Sequence, residues 1–359
     1  MPDRSQLDVI KPAVRAASAY RLEHRDADIK LDQNENPYEL PDELKKDVVH
    51  RVLESPWGRY PELVPEGIIE ALSRFTGWPK AGILVGNGSN ELINAALTVT
   101  LHPASRVAIA QPTFTLYKLM STTLGARVDE IYLNERDMSF DVDSLISAAR
   151  EADVLVLCSP NNPTGSLLDP SDTARILENA RGLVILDEAY HEFSGQNAVS
   201  LLERFDNLLL LRTFSKAMSL AGLRFGYLLT RPEIAAEINK AKLPYSVNIF
   251  TLAAAQAVLE RTDVLDGAIR SLIEERERIL GELAGRPGVH VFPSRANFIL
   301  IKTPHPAGRV FDALYAEGVL VRDVSRYPLL DRALRVSIGK PDENTRFLST
   351  LDRVLETLA

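Results

Sequence analysis

Five short apolar runs, at 106–110, 154–158, 183–186, 208–211 and 225–229, constrain this chain more than any other feature. Each is bounded by glycine, proline, asparagine or aspartate, and helical patterns lie between them. A run without a polar face suits a strand covered on both sides. Alternation of such strands with helices predicts an α/β chain with a mostly parallel sheet flanked by helices. Ligands of such sheets bind beyond the carboxyl ends of the strands, so the residues that follow each run are the first candidates for a site.

After Pro232 helical patterns follow one another at 233–241, 250–259 and 264–283. Strand patterns return at 289–292, 297–301, 318–322 and 334–338, with helices at 307–317 and 344–358. This predicts a large domain over 61–260 and a smaller α+β domain over 261–359. Residues 1–60 are polar and punctuated by proline, and are expected to form an arm together with part of the small domain.

Composition narrows the function. With 359 residues the chain can bury a large core, and its 41 basic and 49 acidic side chains leave a net charge of −8, the wrong sign for a phosphate backbone. Nucleic acid is not an expected partner. No apolar stretch approaches the ~20 residues that span a bilayer, so no membrane role is expected. One cysteine cannot form an internal disulfide, and the opening residues lack a basic-then-apolar leader, so a cytoplasmic location is expected. The six histidines lack metal-ligand spacing, and no metal site is expected.

Several strand ends carry chemistry. Lys216 follows the run at 208–211 among small residues, where desolvation would depress its pKa and make the amine nucleophilic toward carbonyls; taken alone, a surface lysine is the commoner reading. Ser215 beside it and Arg224 eight residues on supply a hydroxyl and a planar fork suited to a phosphate. The loop Gly86-Asn-Gly88-Ser89-Asn90 leads into a helical pattern, so the main-chain N–H groups of Ser89 and Asn90 could hold an anion, or the loop could be a capped tight turn. Asp187 ends the run at 183–186 with Tyr190 three residues on, and a proline-rich turn aims Asn162 at the same crevice; taken alone, a helix cap or a solvated loop residue is the commoner reading of the acid, and the second motif could be merely a turn. Cys158 continues an apolar run and reads as an inert core thiol. Arg335 sits inside an alternating strand, where a charge needs a partner, either an anionic ligand or an internal ion pair; Arg322 poses the same question.

Together, Asn162-Pro-Thr-Gly165, Asp187-Glu-Ala-Tyr190, Ser215-Lys216 and Arg224-Phe-Gly226 resemble, in order and spacing, the motifs of the fold-type-I pyridoxal phosphate-dependent aminotransferases, and the resemblance spans nearly the whole chain. It implies pyridoxal 5′-phosphate as cofactor, with Lys216 holding its aldehyde covalently and moving the proton, Asp187 on the pyridine nitrogen, and Tyr190 and Asn162 on the ring oxygen. It further implies the phosphate on Ser89, Asn90, Ser215 and Arg224, Phe114 stacked on the ring, and a homodimer whose sites borrow Tyr60 from the partner.

Lys30-Leu-Asp-Gln-Asn-Glu-Asn-Pro37, Arg59-Tyr60-Pro61 and Leu334-Arg335-Val-Ser-Ile-Gly339 are most similar to the branch of that family acting on histidinol phosphate. This implies reversible amino transfer between L-histidinol phosphate and 2-oxoglutarate, with glutamate formed, in histidine biosynthesis. Arg335 would take the α-carboxylate of glutamate, and Arg322 and Tyr20 the distal anion. Glu39 stands where that branch often has glycine, and 325–331 carries no assignable motif. The alternatives are an aromatic or broad-specificity aminotransferase, a pyridoxal phosphate-dependent decarboxylase of a phosphorylated amino acid, and a cofactor-binding regulatory module.

Overall fold

The computed structural model describes residues 6–19 and 25–359. The expected sheet is present, with seven strands. In chain order they are β2 (Ile83–Asn87), β3 (Arg106–Gln111), β4 (Arg127–Tyr132), β5 (Val154–Cys158), β6 (Leu183–Asp187), β7 (Leu208–Thr213) and β8 (Phe225–Leu229); β1 (Ile29–Lys30) belongs elsewhere. Their spatial order is β2-β8-β7-β6-β5-β3-β4. All run parallel except β8, which is antiparallel to both neighbours.

The apolar runs are buried on both faces as their composition requires. Leu155, Leu157, Leu208 and Leu210 face one core, while Val154, Val156, Leu209 and Leu211 face another. Each fully buried leucine contributes roughly 1.5–3 kcal/mol relative to exposure, so two opposed cores fix these strands firmly. From β3 the chain steps outward to β4, then returns to lay β5, β6 and β7 on the other side. The crevice opens at this reversal between β3 and β5, at the carboxyl ends of the strands.

A four-stranded antiparallel sheet, ordered β12-β13-β10-β9, is built from β9 (His290–Val291), β10 (Phe298–Lys302), β12 (Arg322–Asp323) and β13 (Ala333–Ser337). Helices Asp266–Ala284, Ala307–Ala316 and Pro341–Leu358 share its core, through Leu272, Ile279, Val310, Phe347 and Leu351 among others. The strand expected at 318–322 is divided. β11 (Val319–Leu320) pairs in parallel with β1, and β12 leaves to join the four-stranded sheet.

Two elements depart from the sequence reading. Residues 42–54, read as part of an arm, form the helix Asp42–Glu54, whose Leu44, Val48 and Val52 are buried, the first two in the core that Ile249–Glu260 also faces. The chain's polar outer face had masked this 3.6-residue stripe. β4 is not among the strands expected from the sequence, since Arg127, Asp129 and Glu130 break up any apolar run; it is an edge strand, where charges discourage further pairing. Among the described residues, no helix is long and apolar enough to cross a membrane.

Candidate active site

One cleft at the carboxyl edge of the seven-stranded sheet gathers eleven of the thirteen residues singled out above. Lys216 lies in the β7–β8 connection with its ammonium donating to the carbonyl of Gln33 at 2.9 Å. Its Nζ is 5.9 Å from the ring centre of Tyr190. The side chain borders the cleft and is only partly exposed; desolvation, with Arg335 and Arg224 nearby, lowers its pKa from 10.5 to about 8.

Asp187 ends β6 and is 4% exposed. Its Oδ1 accepts from the Ala189 N–H at 3.0 Å and its Oδ2 from the Tyr117 hydroxyl at 2.7 Å. Burial pushes its pKa up to about 6, against the pull of those two donors. Tyr190 is buried edge-on against Phe298 at 5.1 Å, and its hydroxyl accepts from Asn34 Nδ2 at 3.2 Å. Burial raises its pKa well above the ordinary tyrosine value, so it stays a hydrogen-bond donor.

The turn after β5 is held by Asn161, which is fully buried and bonds Thr113, Thr164 and the Pro112 carbonyl. That knot frees Asn162 to face the cleft, where its Oδ1 accepts from Arg335 Nη1 at 2.7 Å. Arg335, 8% exposed, also donates to the backbone carbonyl of Asp32.

At the opposite end of the cleft the helix Ser89–Thr100 begins next to β8. A Cβ on Gly226 would lie 2.4 Å from the Ser89 nitrogen, and one on Gly88 2.7 Å from Arg224 Nη2. Only glycine permits this approach of backbone N–H groups and guanidinium, which makes a cradle for an anion. Arg224, itself at φ +59, donates to Ser215 Oγ at 3.2 Å. Phe114 lines the cleft edge-on to Tyr117, with ring centres 5.5 Å apart.

Two expected residues are elsewhere. Tyr60 is 82% exposed and stacks on Tyr245 with ring centres 4.7 Å apart, outside this cleft. Tyr20 lies outside the described residues. Cys158, read as a core thiol, is buried as expected but also lines the cleft beside Asp187, its register partner. Its thiol pKa is raised by burial, which keeps it inert.

Asn34, which stands in a quoted motif, and Tyr117, Val324 and Tyr327 received no site role from the sequence, yet all four line the cleft. Tyr117 carried a usable signal, since it stands three residues after Phe114 at a helix start and so shares its face. Tyr327 falls in 325–331, where no motif was assignable.

The sheet order and the cleft at its carboxyl edge are those of a fold-type-I transferase. A model of aminotransferase class I and II matches residues 26–351, and the chain belongs to that family. It is an enzyme, an aminotransferase. It is 39% identical over 350 residues to histidinol-phosphate aminotransferase of Chlorobaculum tepidum, covering 96% of this chain and 100% of that one. The histidinol-phosphate aminotransferase of Clostridium acetobutylicum matches its fold with a TM-score of 0.86 at 26% identity, over 92% of this chain and 99% of that one. That of Sinorhizobium meliloti, solved in complex with pyridoxal-5′-phosphate, matches with a TM-score of 0.88 at 23% identity over 100% of both chains.

Proposed function

We propose that this chain transfers an amino group reversibly between L-histidinol phosphate and 2-oxoglutarate, forming glutamate, as a pyridoxal 5′-phosphate-dependent homodimer of the cytoplasm. The observation that carries the substrate reading is the β12–β13 hairpin, which sets Arg322 directly opposite Arg335 at the cleft wall. Like charges opposite one another across two strands are unfavourable by themselves. A doubly negative ligand suits such a pair, whether its charges lie on two carboxylates, as in glutamate, or on a single phosphate, as in a phosphorylated amine; histidinol phosphate is what the relatives' names give.

The residues present fit the cofactor. The approach of Gly88 and Gly226 to Arg224 and Ser89 leaves an anion cradle that no side chain of the cleft fills, and the donor set at the other end suits a hydroxylated heteroaromatic ring. Ser89, Asn90, Ser215 and Arg224 would hold its phosphate, Phe114 its ring face, Asn162 and Tyr190 its ring oxygen, Asp187 its ring nitrogen and Lys216 its aldehyde. When bound, the cofactor supplies an electron sink for the substrate carbon that loses a proton.

The protein's own share is acid–base work and orientation. Asp187, ionised at neutral pH, would keep a proton on the ring nitrogen. Lys216 would take a proton from the substrate carbon and return it, and its pKa near 8 supports this, because an appreciable fraction is free base near neutral pH. Arg335 would bind the carboxylate of glutamate, while Arg322 and Tyr20 would bind the distal anion. The exposed apolar surface around Tyr60, Leu63, Leu243 and Tyr245 supports a second copy of the chain docking there and taking up Tyr60 at its own cleft. The lone buried thiol accords with a reducing compartment.

The test combines spectrum and turnover. Purified protein loaded with pyridoxal 5′-phosphate should be yellow, bleach with borohydride and lose the band in Lys216→Ala; with L-histidinol phosphate and 2-oxoglutarate it should form glutamate. A loaded, yellow enzyme that turns over phenylalanine but not histidinol phosphate would overturn the substrate assignment.

A further inference from the structure

Tyr117 stands out among the groups that the reaction as described leaves unused. It is 1% exposed, in the helix Thr115–Leu124 that follows β3, and its hydroxyl donates to Asp187 Oδ2 at 2.7 Å. The other carboxylate oxygen accepts from the Ala189 N–H. Asp187 therefore has one donor on each oxygen, one from its own turn and one from an element seventy residues away in sequence.

The groups facing Asp187 explain why the second donor matters. Cys158, opposite it in register on β5, is a buried neutral thiol. Glu188 turns its carboxylate away to Arg212 and the Ala198 N–H. Lys216 is the cation that acts on Asp187, and more weakly than the two donors do. Arg335 is engaged with Asn162 and the Asp32 carbonyl, and Tyr190 with Asn34. Among the described residues no arginine or lysine bonds Asp187 directly, so in this desolvated place the charge of the carboxylate rests on neutral donors, and the phenol is the larger of the two influences.

We propose that Tyr117 is a positioning residue for Asp187, fixing its carboxylate and holding it anionic toward the ring nitrogen of the cofactor. This rests on the pyridoxal 5′-phosphate reading above. Without the phenol, Asp187 becomes a stronger base and draws the proton away from the ring nitrogen; the less cationic ring then holds the proton on its lysine linkage to higher pH.

The experiment compares wild type with Tyr117→Phe, which keeps the ring that packs on Phe114 and removes only the donor. Cofactor affinity of the apoprotein, the pH midpoint of the yellow band and the thermal midpoint of the apoprotein are measured. Affinity should weaken about tenfold, the loss of one hydrogen bond to a charged group. The band midpoint should rise by at least about half a pH unit, while in an Asp187→Asn background the same substitution should move neither quantity further. Tyr117→His, which keeps a donor, serves if the phenylalanine variant does not fold, and should retain a midpoint close to wild type. A lowered thermal midpoint with unchanged affinity and band midpoint would make Tyr117 a packing residue only and overturn the proposal. A wild-type protein that never turns yellow would remove the cofactor reading and this inference together, whereas a yellow wild type with an unresponsive Tyr117→Phe removes this inference alone.

Discussion

At the scale of the residue, the site is governed by desolvation of two groups that ordinarily stay charged in water. Lys216 must be neutral to attack an aldehyde, and its largely desolvated position at the cleft wall, with Arg335 and Arg224 nearby, brings its pKa down to about 8. The rate at which the apoprotein captures pyridoxal 5′-phosphate should therefore rise with pH through a midpoint near 8, followed as growth of the yellow band in a stopped-flow mixer. Arg335 is the strongest of the charges lowering that pKa, after burial itself. Arg335→Gln should accordingly move the midpoint to higher pH. A midpoint at the ordinary lysine value of 10.5 in wild type would show that the amine is solvated in the apoprotein. Asp187 was legible because it directly follows an apolar run, and Lys216 because it lies in the short connection that follows another. Tyr117 and Asn34 were not, because what they touch comes from distant sequence: Tyr117 reaches Asp187 across seventy positions, and Asn34 reaches Tyr190 across 156.

At the scale of the element, the close approach between β8 and the helix Ser89–Thr100 decides whether an anion can be held. Gly226 is paired with Gly86 across β8 and β2, so neither strand can yield to make room for a side chain. Gly226→Ala would force a Cβ to within 2.4 Å of the Ser89 nitrogen and 2.7 Å of the Gly88 carbonyl carbon. It should lower stability by about 1–3 kcal/mol, the usual effect of overpacking, and weaken pyridoxal 5′-phosphate binding by displacing the N–H groups of the cradle. Gly222→Ala, in the connection just before β8 and with open space around it, should change stability by less than about 0.5 kcal/mol. Calorimetric melts and cofactor titration of the two variants check this; equal effects would show that the cradle is not tightly packed. The strands themselves were readable because residues buried on two faces leave an unmistakable apolar run. β4 and the helix Asp42–Glu54 were obscure for the converse reason, as was the pairing, though not the presence, of the strands that form the β12–β13 hairpin. Each shows a charged face to solvent or to the cleft, and only tertiary pairing reveals which side is covered. The opposition of Arg322 and Arg335, in particular, is a fact of register that no local pattern carries.

At the scale of the whole molecule, the site weakens the empty fold, and pH exposes by how much. Asp187 holds its proton up to about pH 6 in the folded chain but releases it near 3.8 when unfolded. Between those values the folded state binds more protons, so its stability falls as pH rises, and above about 6 the full cost remains. The difference amounts to something on the order of 2–3 kcal/mol for so deeply buried a carboxylate. Lys216 behaves as the mirror image: the unfolded chain keeps its proton to 10.5 and the folded one only to about 8, so stability rises with pH across that interval and the cost is fully present below it. Near neutral pH the cofactor-free protein therefore bears both costs at once. Asp187→Asn removes the first while leaving groups that can still bond Ala189 and Tyr117, and should raise the thermal midpoint of the cofactor-free protein at pH 7. Because the neutral acid and the amide resemble each other, that gain should shrink steadily below pH 6 and vanish near pH 4. The measurement is a set of melts of both proteins from pH 4 to pH 8 without cofactor. A gain of the same size at every pH would show that Asp187 is destabilising through its shape and not its charge. With pyridoxal 5′-phosphate bound the order should invert, since a cationic ring nitrogen stabilises the carboxylate and leaves the amide without a counterpart.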